Sequence, residues 1–171
     1  KGSSLSIGSE TLVKAINKAT KDKSIKAIVL RVNSPGGDAI ASELITNEVI
    51  KARKVKPVIV SMGDVAASAG YEMSSNATMI VASPITITGS IGVFGIMTNL
   101  SRTLKNNVGL TFDTVKTNDN AIISLTTPLS SQTKHVLQMN VENFYDNFIT
   151  KVAQGRKLDK TFVDSIARGR V

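Results

Sequence analysis

Cysteine and tryptophan are absent from the 171-residue sequence, and aromatic residues make up only 4% of it. The lack of cysteine excludes disulfides and thiolate metal sites. Because aromatic residues are so few, the core must be aliphatic. No apolar run reaches the roughly 18 residues needed to cross a bilayer. A phosphate-binding Gly-x-x-x-x-Gly-Lys loop and a His/Cys/acid cluster are also missing, so we expect no metal or nucleotide cofactor.

The chain has few acidic residues for its basic content, 13 against 21, which gives a net charge of +8. Such an excess is found in proteins that bind nucleic acid or anionic lipid. Here the basic residues are dispersed, and aromatic side chains are too few to form a base-stacking platform. We expect no nucleic-acid binding, and the charge better suits a surface near anionic lipid.

The apolar pattern predicts alternating helices and strands within a single domain, residues 1–171. The first helix should begin near Ser9, with Ser6 or Ser9 as its cap. Further helices are predicted over residues 39–53, 70–75, 100–108, 130–155 and 160–167, and strands over 25–32, 58–62, 78–82 and 111–115. Helices that connect successive buried strands indicate an α/β fold with a mainly parallel sheet and crossover helices.

A run of small residues follows the strand at 58–62, and Ser68 lies within it. A strand that runs into small residues turns sharply, with neighbouring backbone packed close against it. Such a turn can hold a serine hydroxyl rigidly at the top of a sheet, as a nucleophile requires. The alternative is that Ser68 is only a small residue at a packing contact, since no Gly-x-Ser-x-Gly motif is present.

Two glycine-containing turns each follow a predicted parallel strand. Gly36 and Gly37 come after the first strand, and Ala69 and Gly70 come after the second. Sites in open α/β sheets form beyond the carboxyl ends of the strands. The backbone N–H groups of Gly36 or Gly37 and of Ala69 can then converge on one oxyanion. The alternative is that the glycines serve tight turns alone.

Three motifs in this order resemble the signal peptide peptidase A (protease IV) family of the ClpP/crotonase-like group. The motifs are Arg31-Val32-Asn33-Ser34-Pro35-Gly36-Gly37, Ala66-Ala67-Ser68-Ala69-Gly70-Tyr71 and Thr88-Gly89-Ser90-Ile91-Gly92-Val93. The resemblance extends over nearly the whole chain. It implies a ClpP/crotonase-like fold in which Ser68 is the nucleophile and Ser90 orients the general base. It also implies that the amides of Ala69 and of Gly36 or Gly37 donate to the oxyanion.

The base of this family is a lysine, which can accept a proton only if its pKa is lowered toward neutrality. His135 is accordingly interpreted as a partly exposed structural residue. Lys116 is a weak candidate, because the residues around Ala121 occupy the position where short members carry their lysine. Long members are tandem fusions in which the amino-terminal half supplies the lysine and the carboxy-terminal half the serine. This chain resembles that carboxy-terminal half, which would also explain the absence of an initiator methionine and a membrane anchor.

The resemblance further implies a Ser/Lys endopeptidase that degrades cleaved signal peptides and other apolar peptides, bound in extended form. It implies the amino-terminal half as a partner, a homo-oligomer, and a location in the bacterial envelope, anchored in the inner membrane on the periplasmic side. The isolated chain should be close to inactive. Two alternatives stay open. One is a crotonase-like acyl-thioester enzyme that requires coenzyme A, and the other is a non-catalytic scaffold half.

Overall fold

The computed structural model describes residues 6–118, 121 and 123–171. These residues divide into two compact units. The first extends to Val93 and includes Phe144–Val171, and the second is Phe94–Asn143. In chain order the elements are α1 (Ser9–Lys21), β1 (Ile28–Ser34), α2 (Ala39–Arg53), β2 (Val58–Ala67), α3 (Ala69–Ser75), β3 (Met79–Val81), β4 (Ile87–Gly89), α4 (Ser101–Thr103), α5 (Ser131–Arg156) and α6 (Lys160–Ile166).

The first unit is built on a sheet in which every strand pair is parallel, so the predicted α/β class is confirmed. β2 is the central strand. β1 lies along one side of it, and β3 and then β4 pair with successive parts of the other side. The strand order therefore brings the carboxyl ends of β1, β2 and β4 together, where sites form in sheets of this kind.

An irregularity in the β1–β2 pairing lengthens β2 beyond its predicted end. Val32 pairs with Met62, but Ser34 pairs with Ala66, so one residue of β1 lies opposite three of β2. Asn33 fills this bulge, since its side-chain Oδ1 accepts a hydrogen bond from the Val65 N–H at 3.1 Å. A Cβ atom at Gly63 would lie 2.6 Å from the same oxygen. The Asn33 side-chain oxygen therefore stabilises the bulge, and the same side chain leaves no room for a Cβ at Gly63.

Two aliphatic clusters stabilise the first unit. The larger joins α1 and α2 to the sheet and α3, and its most enclosed members are Val49, Ala52, Val60 and Ala66, all fully buried. The smaller joins the end of α5 to α6 and to Ile91, and it includes Phe148, Val152 and Val163. Burial of a valine or phenylalanine side chain contributes roughly 1.5–3 kcal/mol, and burial of an alanine methyl group contributes less. The predicted aliphatic core is therefore present, with Phe148 as its one buried phenylalanine among the described residues.

The second unit contains α4, which continues as a π-helical turn from Leu104 to Val108, and the first part of α5. The helix predicted over 100–108 is thus confirmed in position. The strand predicted over 111–115 is wrong: these residues have no regular secondary structure, and Val115 is 95% exposed. A β-branched run forms a strand only when a partner strand and a buried face stabilise it.

One local prediction at the start of the chain is also wrong. The N-cap residue of α1 is Gly8, which has no side chain to cap the helix, so the predicted N-cap at Ser6 or Ser9 is not found. None of the helices described in the structure has the length and apolarity needed to cross a membrane.

A substitution at Gly155 tests the contact between the end of α5 and the end of α3. A Cβ atom at this position would overlap the Ser75 carbonyl oxygen and lie 2.8 Å from the Asn76 side chain. We expect Gly155→Ala to lower the free energy of unfolding by about 2 kcal/mol, despite the better helix propensity of alanine. Chemical denaturation measures this change. Gly95→Ala is the control, because a Cβ there meets no atom within 4 Å; equal stability of the two variants would contradict the prediction.

Candidate active site

Ser68 lies at the junction between β2 and α3, with the unusual backbone angles φ 52° and ψ −122°. A non-glycine residue in such a conformation costs on the order of 1–3 kcal/mol and is found where the surrounding structure holds it. Two backbone hydrogen bonds hold it here. The Ser68 N–H donates to the Gly89 carbonyl at 2.9 Å, and the Glu72 N–H donates to the Ser68 carbonyl at 2.9 Å. The turn is thus fixed by β4 on one side and by α3 on the other.

The neighbouring backbone approaches this turn closely. A Cβ atom at Gly36 would lie 2.8 Å from the Ser68 Cβ and 3.1 Å from its hydroxyl oxygen, and Gly36 has a φ of +124°. A Cβ at Gly70 would lie 2.7 Å from the Ser34 carbonyl oxygen. Both glycines are therefore required by space, and Gly70 lies within the run of small residues that predicts a close approach of neighbouring backbone.

The hydroxyl and two nearby amides have no partner within the described part of the chain. The Ser68 Oγ makes no hydrogen bond, and neither does the N–H of Ala69 or of Gly37. The Gly36 N–H, in contrast, donates to the Ser34 hydroxyl at 3.2 Å. Of the two glycines that the sequence leaves open as oxyanion donors, Gly37 is the one with an unengaged amide.

Ser90 lies on the strand end next to Ser68. Ala67 pairs with Gly89 in the β2–β4 register. Ser68 and Ser90 are the next residues of the two strands, so they lie at neighbouring strand ends. Ser90 also has a positive φ, 47°. Its N–H donates to the Arg170 carbonyl at 2.7 Å, while its hydroxyl is 3.5 Å from the Gly169 carbonyl oxygen, a weak contact. The structure thus gathers all five predicted site residues of the first unit, Gly36, Gly37, Ser68, Ala69 and Ser90, at three neighbouring strand ends.

The two basic residues weighed as proton acceptors, Lys116 and His135, both belong to the second unit and are exposed. Lys116 follows the segment where the predicted strand does not form. Asn118 and Ala121 are described, but Asp119 and Asn120 between them, and Ile122, lie outside the described residues. Within the described residues of the first unit, no lysine makes a hydrogen bond to the Ser68 hydroxyl. The role of Lys116 stays a prediction.

Sequence reasoning missed a buried ionic cluster beneath the Ser68 turn. Glu72 of α3 is 7% exposed, and its carboxylate accepts a short hydrogen bond from the Ser42 hydroxyl of α2. The Lys151 ammonium of α5 lies 3.4 Å from Glu72 and 3.2 Å from Glu43. One local signal was present in the sequence, since Glu72 is the one charged residue of α3 and comes four residues after Ser68, but no local pattern identifies its partners.

Burial raises the pKa of the Glu72 carboxyl above its usual value, and the Ser42 hydrogen bond and Lys151 oppose this change. Burial also raises the pKa of the neighbouring Tyr71, against the effect of Arg156. Within the described ranges no group of three His, Cys, Asp or Glu side chains is arranged to hold a metal ion. The unengaged hydroxyl beside two unengaged amides suits nucleophilic attack on a carbonyl and stabilisation of the resulting oxyanion.

Comparison with known proteins gives a consistent result. The model of peptidase family S49 matches residues 50–171. Protease 4 of Haemophilus influenzae is 45% identical over 165 residues, which is 96% of this chain and 27% of that protein. Protease 4 of Salmonella typhi is 46% identical over 166 residues, again 96% of this chain and 27% of that protein.

A more distant relative is the chloroplastic serine protease SPPA of Arabidopsis thaliana, 35% identical over 164 residues, which is 95% of this chain and 24% of that protein. The chain thus spans about a quarter of the length of these relatives. Among solved structures, a peptidase from Plasmodium falciparum matches 92% of this chain and 76% of its own with a TM-score of 0.49 at 10% identity.

Gly36 and Gly37 provide a matched pair of variants. Gly36→Ala places a methyl group against Ser68 at a φ that disfavours side chains, whereas a Cβ at Gly37 meets no atom within 4 Å. We expect Gly36→Ala to lower the free energy of unfolding by about 2 kcal/mol or more, and Gly37→Ala to change it by less than about 0.5 kcal/mol. Urea denaturation of both variants checks this. A tolerated Gly36→Ala would show that the close approach to Ser68 is not required.

The raised pKa of Glu72 gives a stability dependence on pH with a definite sign. A carboxyl whose pKa is higher in the folded state than in the unfolded state binds its proton more tightly when folded, so stability is lost as pH rises through the folded value. The usual pKa of a glutamate carboxyl is 4.5, so the loss of stability should begin near this pH and continue as the pH rises further. We expect the wild type to lose stability relative to Glu72→Gln between acidic and neutral pH. Denaturation of both proteins across this interval measures it; a constant difference would contradict the assignment.

Proposed function

Because the chain belongs to peptidase family S49, we propose that it carries the nucleophile of a serine endopeptidase and that this nucleophile is Ser68. The observation that supports the proposal most directly is the strained Ser68 turn, whose hydroxyl has no partner within the described residues. A serine on a strained strand-to-helix turn is one arrangement in which acyl-transfer enzymes present their nucleophile.

In the proposed reaction the Ser68 Oγ attacks the scissile carbonyl carbon, and its proton passes to a base. The carbonyl oxygen becomes an oxyanion, which accepts hydrogen bonds from the N–H groups of Ala69 and Gly37. Removal of one such donor from a serine protease typically lowers kcat by about 10²–10³-fold. The carbon–nitrogen bond then breaks, the leaving amine takes the proton, and water hydrolyses the acyl-enzyme.

The proposed base is a lysine from outside this chain, supplied by the amino-terminal half of a longer protein. It must be neutral to accept the Ser68 proton, which requires an environment that lowers its pKa. Ser90 follows the strand end next to Ser68, and in this proposal its hydroxyl orients the lysine. The names of three relatives agree with the proteolytic part of the proposal, namely the two proteases 4 and the plant serine protease SPPA.

The proposed substrates are cleaved signal peptides and other apolar peptides, bound in extended form beside the strand ends. The proposal includes assembly of several copies and a position on the outer side of the bacterial inner membrane. A coenzyme A-dependent acyl-thioester enzyme and a non-catalytic scaffold are the alternatives. Neither has an observation in its favour, since a reaction of the first kind uses no serine nucleophile and a scaffold needs no strained Ser68.

Covalent labelling with a fluorophosphonate probe tests the proposal. The chain is treated alone and together with the separately produced amino-terminal half, and mass spectrometry locates the modified residue. We expect modification of Ser68 only when both halves are present, because the base comes from the added half. Ser68→Ala is the control and should not be labelled.

The other outcomes are equally informative. Labelling of Ser68 in the isolated chain would place the base within this chain, and Lys116→Met would then show whether it is Lys116. Absence of labelling when the two halves are folded and associated would overturn the protease proposal in favour of a scaffold.

A further inference from the structure

Glu72 is connected to the nucleophile turn through its own backbone. It lies one helical turn after Ser68, and its N–H donates to the Ser68 carbonyl at 2.9 Å. α3 has only seven residues. An isolated helix of this length is unstable in water, so its orientation must come from tertiary contacts. The contacts of the Glu72 side chain can therefore determine the orientation of α3 and of the Ser68 turn before it.

The side chain of Glu72 connects three helices. Its Oε2 accepts the hydroxyl hydrogen of Ser42 on α2, a side chain only 2% exposed. Its Oε1 lies 3.4 Å from the Nζ of Lys151 on α5, whose side chain is 13% exposed. The same ammonium lies 3.2 Å from Glu43, the residue next to Ser42. Every charged group of the cluster thus has a partner of opposite sign.

Two further contacts join this cluster to both ends of α3. The Ser42 hydroxyl also lies 3.5 Å from the Ala69 carbonyl oxygen, in the first turn of the helix. The Asn76 side chain, directly after the helix, donates to the Lys151 carbonyl at 3.2 Å. α2 therefore contacts the end of α3 that carries Ser68 and Ala69, and α5 contacts the opposite end.

Buried ion pairs add little net stability, because removal of the charges from water offsets most of their attraction. An apolar side chain at position 72 would fill the same space at a lower desolvation cost. The carboxylate does make directional contacts, because one oxygen contacts Ser42 on α2 and the other contacts Lys151 on α5. A role in placing α3 accounts for this better than a role in overall stability.

We propose that Glu72 is a positioning residue: through Ser42 and Lys151, its carboxylate fixes the first turn of α3 and thereby the Ser68 hydroxyl and the Ala69 amide. The inference rests on the proposed function for its catalytic meaning, because it concerns the placement of the same nucleophile. The placement itself can be measured independently of proteolysis.

The absence of cysteine from the chain provides that measurement. Ser68→Cys introduces a single thiol at the nucleophile position, and its alkylation by iodoacetamide is followed by intact mass at neutral pH. A thiol held beside unengaged backbone N–H groups reacts faster, because those donors stabilise the thiolate. The alkylation rate in the Ser68→Cys background therefore reports the positions of the side chain and of the Ala69 amide, without any base from another polypeptide.

The variants added to this background are Glu72→Ala and Glu72→Gln, with Glu48→Ala as a matched control. Glu48 is also buried, at 5% exposed, and is likewise held by one neutral donor and one lysine. Its partners are Asn17 of α1 at 2.8 Å and Lys51 of its own helix at 3.4 Å. Its substitution therefore removes a buried carboxylate whose hydrogen-bond and ion-pair partners both lie outside α3.

We expect Glu72→Ala to slow alkylation of the introduced thiol at least fivefold, whereas Glu48→Ala leaves the rate within twofold at a similar loss of melting temperature. Glu72→Gln should recover a rate within threefold of the parent, because its amide oxygen still accepts the Ser42 hydroxyl. If Glu72→Ala does not fold, Ser42→Ala takes its place, with an expected slowing of at least threefold. Equal rates in the Glu72 or Ser42 variant and the Glu48 variant would overturn the proposal, as would a failure of glutamine to restore the rate.

The same substitutions in the protein that retains Ser68 separate this proposal from the proposed function. Fluorophosphonate labelling in the presence of the amino-terminal half should fall at least tenfold in Glu72→Ala and remain within threefold in Glu72→Gln. If the wild type itself is not labelled, the protease proposal fails, while the alkylation rates in the Ser68→Cys background still decide whether Glu72 positions the turn.

Discussion

The backbone conformation of Ser68 is the constraint on which the rest of the site depends. With φ 52° and ψ −122°, the residue has a strained backbone, and its N–H and carbonyl are held by hydrogen bonds to Gly89 and Glu72. These hydrogen bonds fix the end of β4 beside β2 and the start of α3 directly after Ser68. It also explains why the surrounding residues are small, since a Cβ at Gly36 or Gly70 would overlap its neighbours. Strain at one residue is thus offset by the packing of three strand ends and a helix.

The same geometry explains why two backbone hydrogen-bond donors, the N–H groups of Ala69 and Gly37, remain unengaged among the described residues. Ala69 is the first residue of α3, so its N–H has no partner within the helix. Gly37 lies in an exposed turn, while the neighbouring Gly36 amide is taken up by Ser34. Both free donors are backbone N–H groups, and their positions follow from the course of the chain. The side chains of Ser42, Glu72 and Lys151 do not donate at this point but hold α3 in place.

The parts of this arrangement that the sequence predicts are those with a local signal. The alternation of helices and buried strands predicts the parallel sheet, and the small residues around Ser68 predict the close approach of Gly36 and Gly70. The pairing of Glu72 with Ser42 and Lys151 has no such signal, because residues 30 and 79 positions apart in the chain come together only after folding. The strand predicted over residues 111–115 fails for the converse reason: its β-branched residues have the right propensity, but no partner strand buries them.

Lys151 shows why a lysine near the nucleophile is not sufficient to complete the proposed site. It is the lysine bound directly behind the Ser68 helix, and its side chain is largely enclosed. A general base, however, must be uncharged and within hydrogen-bond reach of the hydroxyl. Lys151 instead contacts Glu43 and Glu72 and makes no hydrogen bond to Ser68 within the described residues. An ammonium that holds two carboxylates in place serves to position α3. The proposed mechanism therefore needs a proton acceptor other than Lys151, and Ser90, which follows the strand end next to Ser68, is the residue proposed to orient it.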